Sequence, residues 1–247
     1  MARSRTTAVP RPHGETSPAR PRAELSRERI LGAALDLVDA KGLKALNMRD
    51  LGLALGASTM GVYRHFRNKS ELLDAVVDLV TEGFAPTPIE GSWQTQAKAL
   101  SLNVRASMLA HPDLADLIGR EFRRSPTSLR VNTEIIERLR VSGVPPLLLP
   151  DTYWAISSYT TGYALLEAQT FRHRRRSDPV SSGPNRVRKA AALLRSVEGV
   201  SPDALQEAAV VLSRPLDDAQ FLFGLECLIR GLEDKFAGAG ERAQTEA

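Results

Sequence analysis

Apolar residues recur along this chain at the three- and four-residue spacing of helices, and nowhere alternate with period two for long, so the predicted elements are helical throughout. Ile30, Ala33, Ala34, Leu37 and Val38 form a first stripe. It opens behind Ser26, an N-cap with Leu25 and Ile30 placed as a hydrophobic staple, and closes at Gly42. Met48, Leu51 and Leu55 make a narrower stripe behind Asn47, and Gly56 ends it. Ala57 and Ser58 then form a turn, Ser58 caps the next helix, and Val62 with Phe66 turns that helix inward. Asn68 restarts a helix, with Glu71 expected as its capping-box partner. Its stripe of Leu72, Leu73, Val76, Val77 and Val80 is too wide for one neighbour, so this helix is expected to pack on both sides of the chain.

The segment from Gly83 to Gly91 reads as a loop, after which Ser92 caps a helix to Ala110 and His111 with Pro112 opens a short one. Ser125 and Pro126 start a helix that stops at Gly143, and VPPLLLP reads as an extended linker. Asp151 is expected to cap a long helix to about Phe171, in which Gly162, Ala164 and Ala168 leave room for a close neighbour. Arg172 to Arg188 reads as a basic loop, Ala190 to Arg195 and Pro202 to Leu212 as short helices. Asp217 or Asp218 caps a last helix ending near Gly238. The expectation is an all-α chain with four parts: residues 1–24 as a disordered basic arm, 25–82 as a small helical domain, 83–238 as a larger one, and 239–247 as a disordered tail.

The two short helices around Gly56 make a helix-turn-helix, and the outward face of the second carries Thr59, Met60, Gly61, Tyr63, Arg64 and His65. Small residues lead and hydrogen-bonding or basic ones follow, which suits a helix entering a major groove about 12 Å wide. Lys69, beside the Asn68 cap, is placed to hold a phosphate. Charge points the same way: Met1 to Ser70 carries 13 Lys and Arg against 6 Asp and Glu, whereas the remaining residues carry 20 against 23. A polyanionic partner accounts for that asymmetry. The Arg-rich arm reads either as a DNA-facing extension or as a solvated tail.

The stretch LSRERILGAALDLVDAKGLKALNMRDLGLALGASTMGVYRHFRNKSELLDAV, Leu25 to Val76, resembles the DNA-binding head of the tetracycline-repressor family, most specifically in VYRHF and NKSELLDA. The resemblance implies that Arg49, Ser58, Thr59, Met60, Gly61, Tyr63, Arg64 and His65 face DNA, with Tyr63 and Lys69 on phosphates. Gly61 departs from the family's namesake, which has a base-contacting Thr there, so its operator does not carry over. SWQTQ, TGYALLEAQ and FLFGLECLIRGLE extend the resemblance to Phe236 and imply an Ω-shaped homodimer with a ligand cavity in each regulatory domain.

The helices Asp151 to Phe171 and Asp217 to Phe236 would then form a four-helix bundle with those of a second copy. Each offers apolar residues on more than one face: Ile156, Tyr159, Tyr163 and Leu166 on one, Phe221, Leu225, Leu228 and Leu232 on the other. The family's ligand residues carry over poorly. Glu121 stands where a metal-binding His is found, Leu100 and Val104 near the drug-gripping Asn and Phe, and only Glu167 matches a residue that reaches the metal through water. A magnesium-tetracycline ligand is therefore not expected; Leu100, Val104, Glu121, Trp154 and Glu167 are the candidate contacts for an unknown small molecule.

Catalytic and metal signals are weak. The four His are scattered, no Cys pair exists, and no nucleophile elbow or strand-led glycine fingerprint occurs, so neither enzyme, metal site nor cofactor is expected. The single Cys227 reads as a buried helix residue and suits a reducing cytoplasm, and no apolar run is long enough for a membrane span. The expected function is a DNA-binding transcription regulator, a homodimeric repressor released from a palindromic double-stranded operator by a small molecule. A DNA-binding dimer whose C-terminal domain only dimerises or contacts other proteins stays open as a second reading. A cavity lined by Trp93, Trp154, Tyr159 or Glu167 would favour the first, and a filled core the second.

Overall fold

The computed structural model describes residues 25–86, 90–121, 125–176, 183–194, 196 and 199–245. The arm expected over residues 1–24 lies outside them. Among the described residues the chain forms eleven α-helices and no strand. They are α1 (Arg27–Lys41), α2 (Met48–Ala54), α3 (Thr59–Tyr63), α4 (Lys69–Glu82), α5 (Trp93–Ala110), α6 (Ala115–Glu121), α7 (Pro126–Val141), α8 (Leu149–Arg176), α9 (Gly183–Leu194), α10 (Pro202–Ser213) and α11 (Asp218–Thr245).

The head closes because the apolar stripes of α1 to α4 meet: Ile30, Ala34, Val38, Leu46, Leu51, Val62, Phe66, Leu72 and Val76 have no exposed surface. Local chemistry sets where each helix begins. The Ser26, Asn47, Ser58 and Asn68 side chains accept the backbone N–H of Arg29, Asp50, Gly61 and Glu71 at 3.3, 2.9, 3.1 and 2.9 Å, each satisfying an orphan donor. Gly42 (φ 83°) and Gly56 (φ 62°) adopt the left-handed backbone that ends α1 and turns α2 into α3. One detail differs from the capping box. The Glu71 carboxylate reaches past Asn68 and takes the N–H of Arg67 at 2.9 Å and its Nε at 3.0 Å.

α4 carries buried Leu72, Val76, Val77, Val80 and Thr81, packs on α1 in the head, and packs on α6 and α7 beyond it. Polar contacts reinforce the junction: Ser125 Oγ donates to Asp78 Oδ1 at 2.6 Å, Asn103 Nδ2 to the Gly83 carbonyl at 2.9 Å, and His111 Nδ1 lies 2.8 Å from Asp39 Oδ2. In the larger domain α5 lies along α8, with α7 and α11 against the same helix.

Several boundaries differ from the sequence expectation. VPPLLLP is a 3-10 turn (Pro146–Leu148) running directly into α8, so Asp151 is not a cap; it lies in the first turn, where a negative charge suits the helix dipole. The expected basic loop is largely helical, since α8 continues to Arg176 and α9 begins at Gly183, leaving residues 177–182 outside the description. Arg is a good helix former, and Pro184 falls in a first turn where its missing N–H costs nothing. α11 likewise continues to Thr245, past Gly238. Ser92 holds the N-cap position of α5 without a capping bond, its hydroxyl lying 3.4 Å from Thr95 Oγ1 instead. Cys227, expected to be buried, is exposed on α11.

Candidate DNA-binding face and effector pocket

α3 is five residues long, and Val62 anchors it from below. Met60 (69% exposed), Tyr63 and Arg64 stand outward, Ser58 and Arg49 are exposed beside them, and Thr59, His65 and Lys69 are half-buried. Gly61 is turned differently from the expectation: a Cβ there would lie 3.3 Å from Leu25 Cδ2, so it accommodates the entry of α1. A second support was not legible in the sequence. Arg27 donates from a terminal nitrogen to the His65 carbonyl at 2.9 Å and lays its guanidinium over the Phe66 ring, 4.1 Å from the centroid. This cation closes the C-terminal end of the α3 turn, where the helix dipole favours positive charge. Across the next turn, the bonds from Arg67 hold the Glu71 carboxyl below its usual pKa.

The larger domain contains a small pocket of about 30 Å³ between α5, α7 and α8. Leu100 and Val104 from α5, Ile135 and Leu139 from α7, and Ile156 from α8 give it an apolar wall, to which Ser101, Ser157, Thr160 and Thr161 add hydroxyls. Of the predicted ligand contacts, Leu100 and Val104 line it. Trp93, Trp154, Tyr159 and Glu167 do not. Trp93 is buried against Phe236 with ring centroids 4.8 Å apart. Trp154 lines a separate groove with Leu129, Asn132 and Ile136, below which Tyr153 donates its hydroxyl to Asn132 Oδ1 at 2.8 Å. The Glu121 side chain lies outside the described residues.

Glu167 is engaged elsewhere. Arg105, buried on α5, donates from Nε and Nη2 to both Glu167 oxygens at 2.8 Å, and from Nη2 to Asp218 Oδ1 at 2.8 Å. Its guanidinium also lies over the Phe221 ring, 4.9 Å from the centroid. The bonds to Glu167, and then to Asp218, raise the Arg105 pKa against the opposing effect of burial.

α8 and α11 approach closely at Gly224, which faces Tyr159; the Tyr159 hydroxyl donates to the Phe221 carbonyl at 2.8 Å. Burial raises the phenol pKa of both Tyr159 and Tyr163. Of the residues expected at a dimer interface, Phe221 and Leu225 have no exposed surface and Ile156 has little, so they serve the protomer's own core. Tyr159, Tyr163, Leu228 and Leu232 are half-buried, Leu166 is exposed, and Phe223, overlooked in the sequence, is 65% exposed.

A trihelical head with an outward short helix, joined through a shared helix to a helical domain with an apolar pocket, defines a helix-turn-helix transcription regulator of two parts. Comparison places it more narrowly. Residues 30–76 match the family described as bacterial regulatory proteins, tetR family, and residues 85–236 the tetracyclin repressor-like C-terminal domain. The chain belongs to the tetracycline-repressor family. It is 30% identical to the class D tetracycline repressor protein of Escherichia coli over 85% of this chain and 90% of that one. It is 28% identical to the HTH-type transcriptional repressor Rv1353c of Mycobacterium tuberculosis over 91% and 88%. Among solved structures, ActR of Streptomyces coelicolor in complex with actinorhodin superposes with a TM-score of 0.66 at 30% identity, covering 88% of this chain and all of that one. No described helix is long and apolar enough to cross a membrane.

Proposed function

We propose that this regulator is a homodimeric repressor that binds a two-fold symmetric operator through α3 and leaves it when a small molecule enters the pocket between α5, α7 and α8. The observation that carries the reading is the pocket itself: a small, largely apolar space, lined by Leu100 and Val104 and by none of Trp93, Trp154, Tyr159 and Glu167, in the domain that α4 joins to the head. ActR, a relative over nearly its whole length, has been crystallised with a small molecule. That likeness favours a sensor over a domain that only dimerises. Met60 and Arg64 address the bases and Tyr63 and Lys69 phosphates, with Arg49, Ser58, Thr59 and His65 around them. α8 and α11 supply the dimer contact through Leu166, Phe223, Leu228 and Leu232. Two heads must lie about 34 to 36 Å apart to use successive major grooves, so a ligand that alters this spacing releases DNA without touching it.

Selection of binding sites from random DNA tests the reading. The full-length protein is expected to enrich a two-fold symmetric sequence. Arg64→Ala should change the preferred bases, whereas Lys69→Ala should weaken all sequences alike and flatten the salt dependence by about one unit. An asymmetric consensus, or an Arg64→Ala variant with unchanged preference, contradicts it.

A further inference from the structure

Two hydroxyls in the pocket wall differ from four threonine hydroxyls elsewhere on the helices. Thr81, Thr133, Thr152 and Thr170 each return their hydroxyl to the carbonyl four residues back, at 2.7–2.9 Å. Such a bond is the ordinary resolution for a hydroxyl on a helix. Ser101 on α5 and Thr160 on α8 are 2% exposed and do not make it, and among the described residues their oxygens have no hydrogen-bond partner. A buried hydroxyl left unpaired costs about 1–3 kcal/mol, so two lining one pocket call for an explanation. Both belong to the pocket wall, whose space of about 30 Å³ admits a ligand's polar atom and takes in a larger body only as the walls part.

Charge narrows the class of that partner. The pocket wall contains no Lys, Arg, His, Asp or Glu. Among the described residues the buried charge of this domain is already matched, Arg105 being held by Glu167 and Asp218. A charged ligand would enter an apolar space with nothing to compensate it, at a cost far above that of a lost hydrogen bond.

We infer that the effector is an uncharged, metal-free molecule with an apolar body and a hydrogen-bond acceptor, a carbonyl or ether oxygen, that takes the Ser101 and Thr160 hydroxyls. The inference rests on the effector reading above and adds the chemistry of its recognition. Glu167 stays with Arg105 and does not touch the ligand.

Three probes of similar shape separate the possibilities: benzophenone, diphenylmethane without the oxygen, and the anion 4-benzoylbenzoate. They are to be measured for direct binding and for operator release with the full-length protein. Benzophenone is expected to bind about tenfold more tightly than diphenylmethane, and 4-benzoylbenzoate more weakly than either. In Ser101→Ala/Thr160→Val the ketone should lose its advantage while diphenylmethane binds as before. Without any ligand, this variant should melt about 2–4 °C higher, since it removes buried unpaired hydroxyls.

Equal binding of ketone and hydrocarbon, preferential binding of the anion, or no binding by any of the three overturns the inference. A lower melting temperature in the double variant overturns it without recourse to ligands, because the hydroxyls would then have partners inside the protein. A ketone that binds through Ser101 and Thr160 yet leaves operator affinity unchanged supports the recognition chemistry and overturns the effector reading instead.

Discussion

Arg105 shows how one side chain can hold three helices together. It leaves α5, is gripped by both oxygens of Glu167 on α8, and meets Asp218 and the Phe221 ring on α11. Its two acids are not equivalent: the Glu167 side chain is 15% exposed and that of Asp218 is 85% exposed. Water can replace the guanidinium at Asp218 but not at Glu167, so the cost of removing Arg105 falls on the buried carboxylate. Arg105→Met is expected to lower the unfolding free energy by about 3–5 kcal/mol in urea titration. Arg105→Met with Glu167→Met should recover most of that loss, because an apolar pair replaces the ion pair without stranding a charge. A single variant as stable as the parent would show that this contact does not hold the domain.

At the scale of elements, the contact between α8 and α11 depends on a missing side chain. An added Cβ at Gly224 would lie 2.7 Å from Tyr159 Cζ, which is too close without moving the ring from its bond to the Phe221 carbonyl. Gly32, within α1, has nothing within 4 Å of the same position. Gly32→Ala should therefore gain about 1 kcal/mol from helix propensity, while at Gly224 the same change meets overpacking of about 1–3 kcal/mol. Thermal melting should move up for the first and down for the second; a rise in both would place Tyr159 elsewhere. The sequence reading found room for a neighbour at Gly162 on α8, whereas within the protomer nothing lies near that glycine. Helix starts were legible at Ser26, Asn47, Ser58, Asn68 and Ser125 because a cap depends on residues three apart. What stayed hidden depends on distant partners: Arg27 on the His65 carbonyl, 38 residues away, or Arg105 on Asp218, 113 residues away. Leu100 and Val104 reached the pocket wall from family likeness, whereas nothing local reveals that Glu167 pairs with Arg105. Likewise, the run of Arg after Phe171 looked like a loop because its charge was weighed more heavily than its helix propensity.

In the whole molecule, head and larger domain meet along α4, and two of their shortest polar contacts lie at separate points: Asp39 with His111, and Asp78 with Ser125. Removing both should let the head melt on its own. Scanning calorimetry of Asp39→Ala/Asp78→Ala is expected to resolve two transitions, the lower from the head, while the parent gives one. A single unshifted transition would show that neither carboxylate holds the junction. The other long connection is α8, one uninterrupted helix of 28 residues. It lines the pocket at Thr160, and farther along Gln169 and Arg172 donate to Asp116 of α6 at 3.3 and 2.7 Å, beside the contact of α6 with α4. Adding or deleting one residue between Thr160 and Arg172 would rotate everything beyond it by about 100° and move it about 1.5 Å along the axis. Arg172 would then swing away from Asp116 while the pocket kept its wall. A substitution along that stretch leaves this geometry in place, whereas a change of its length does not.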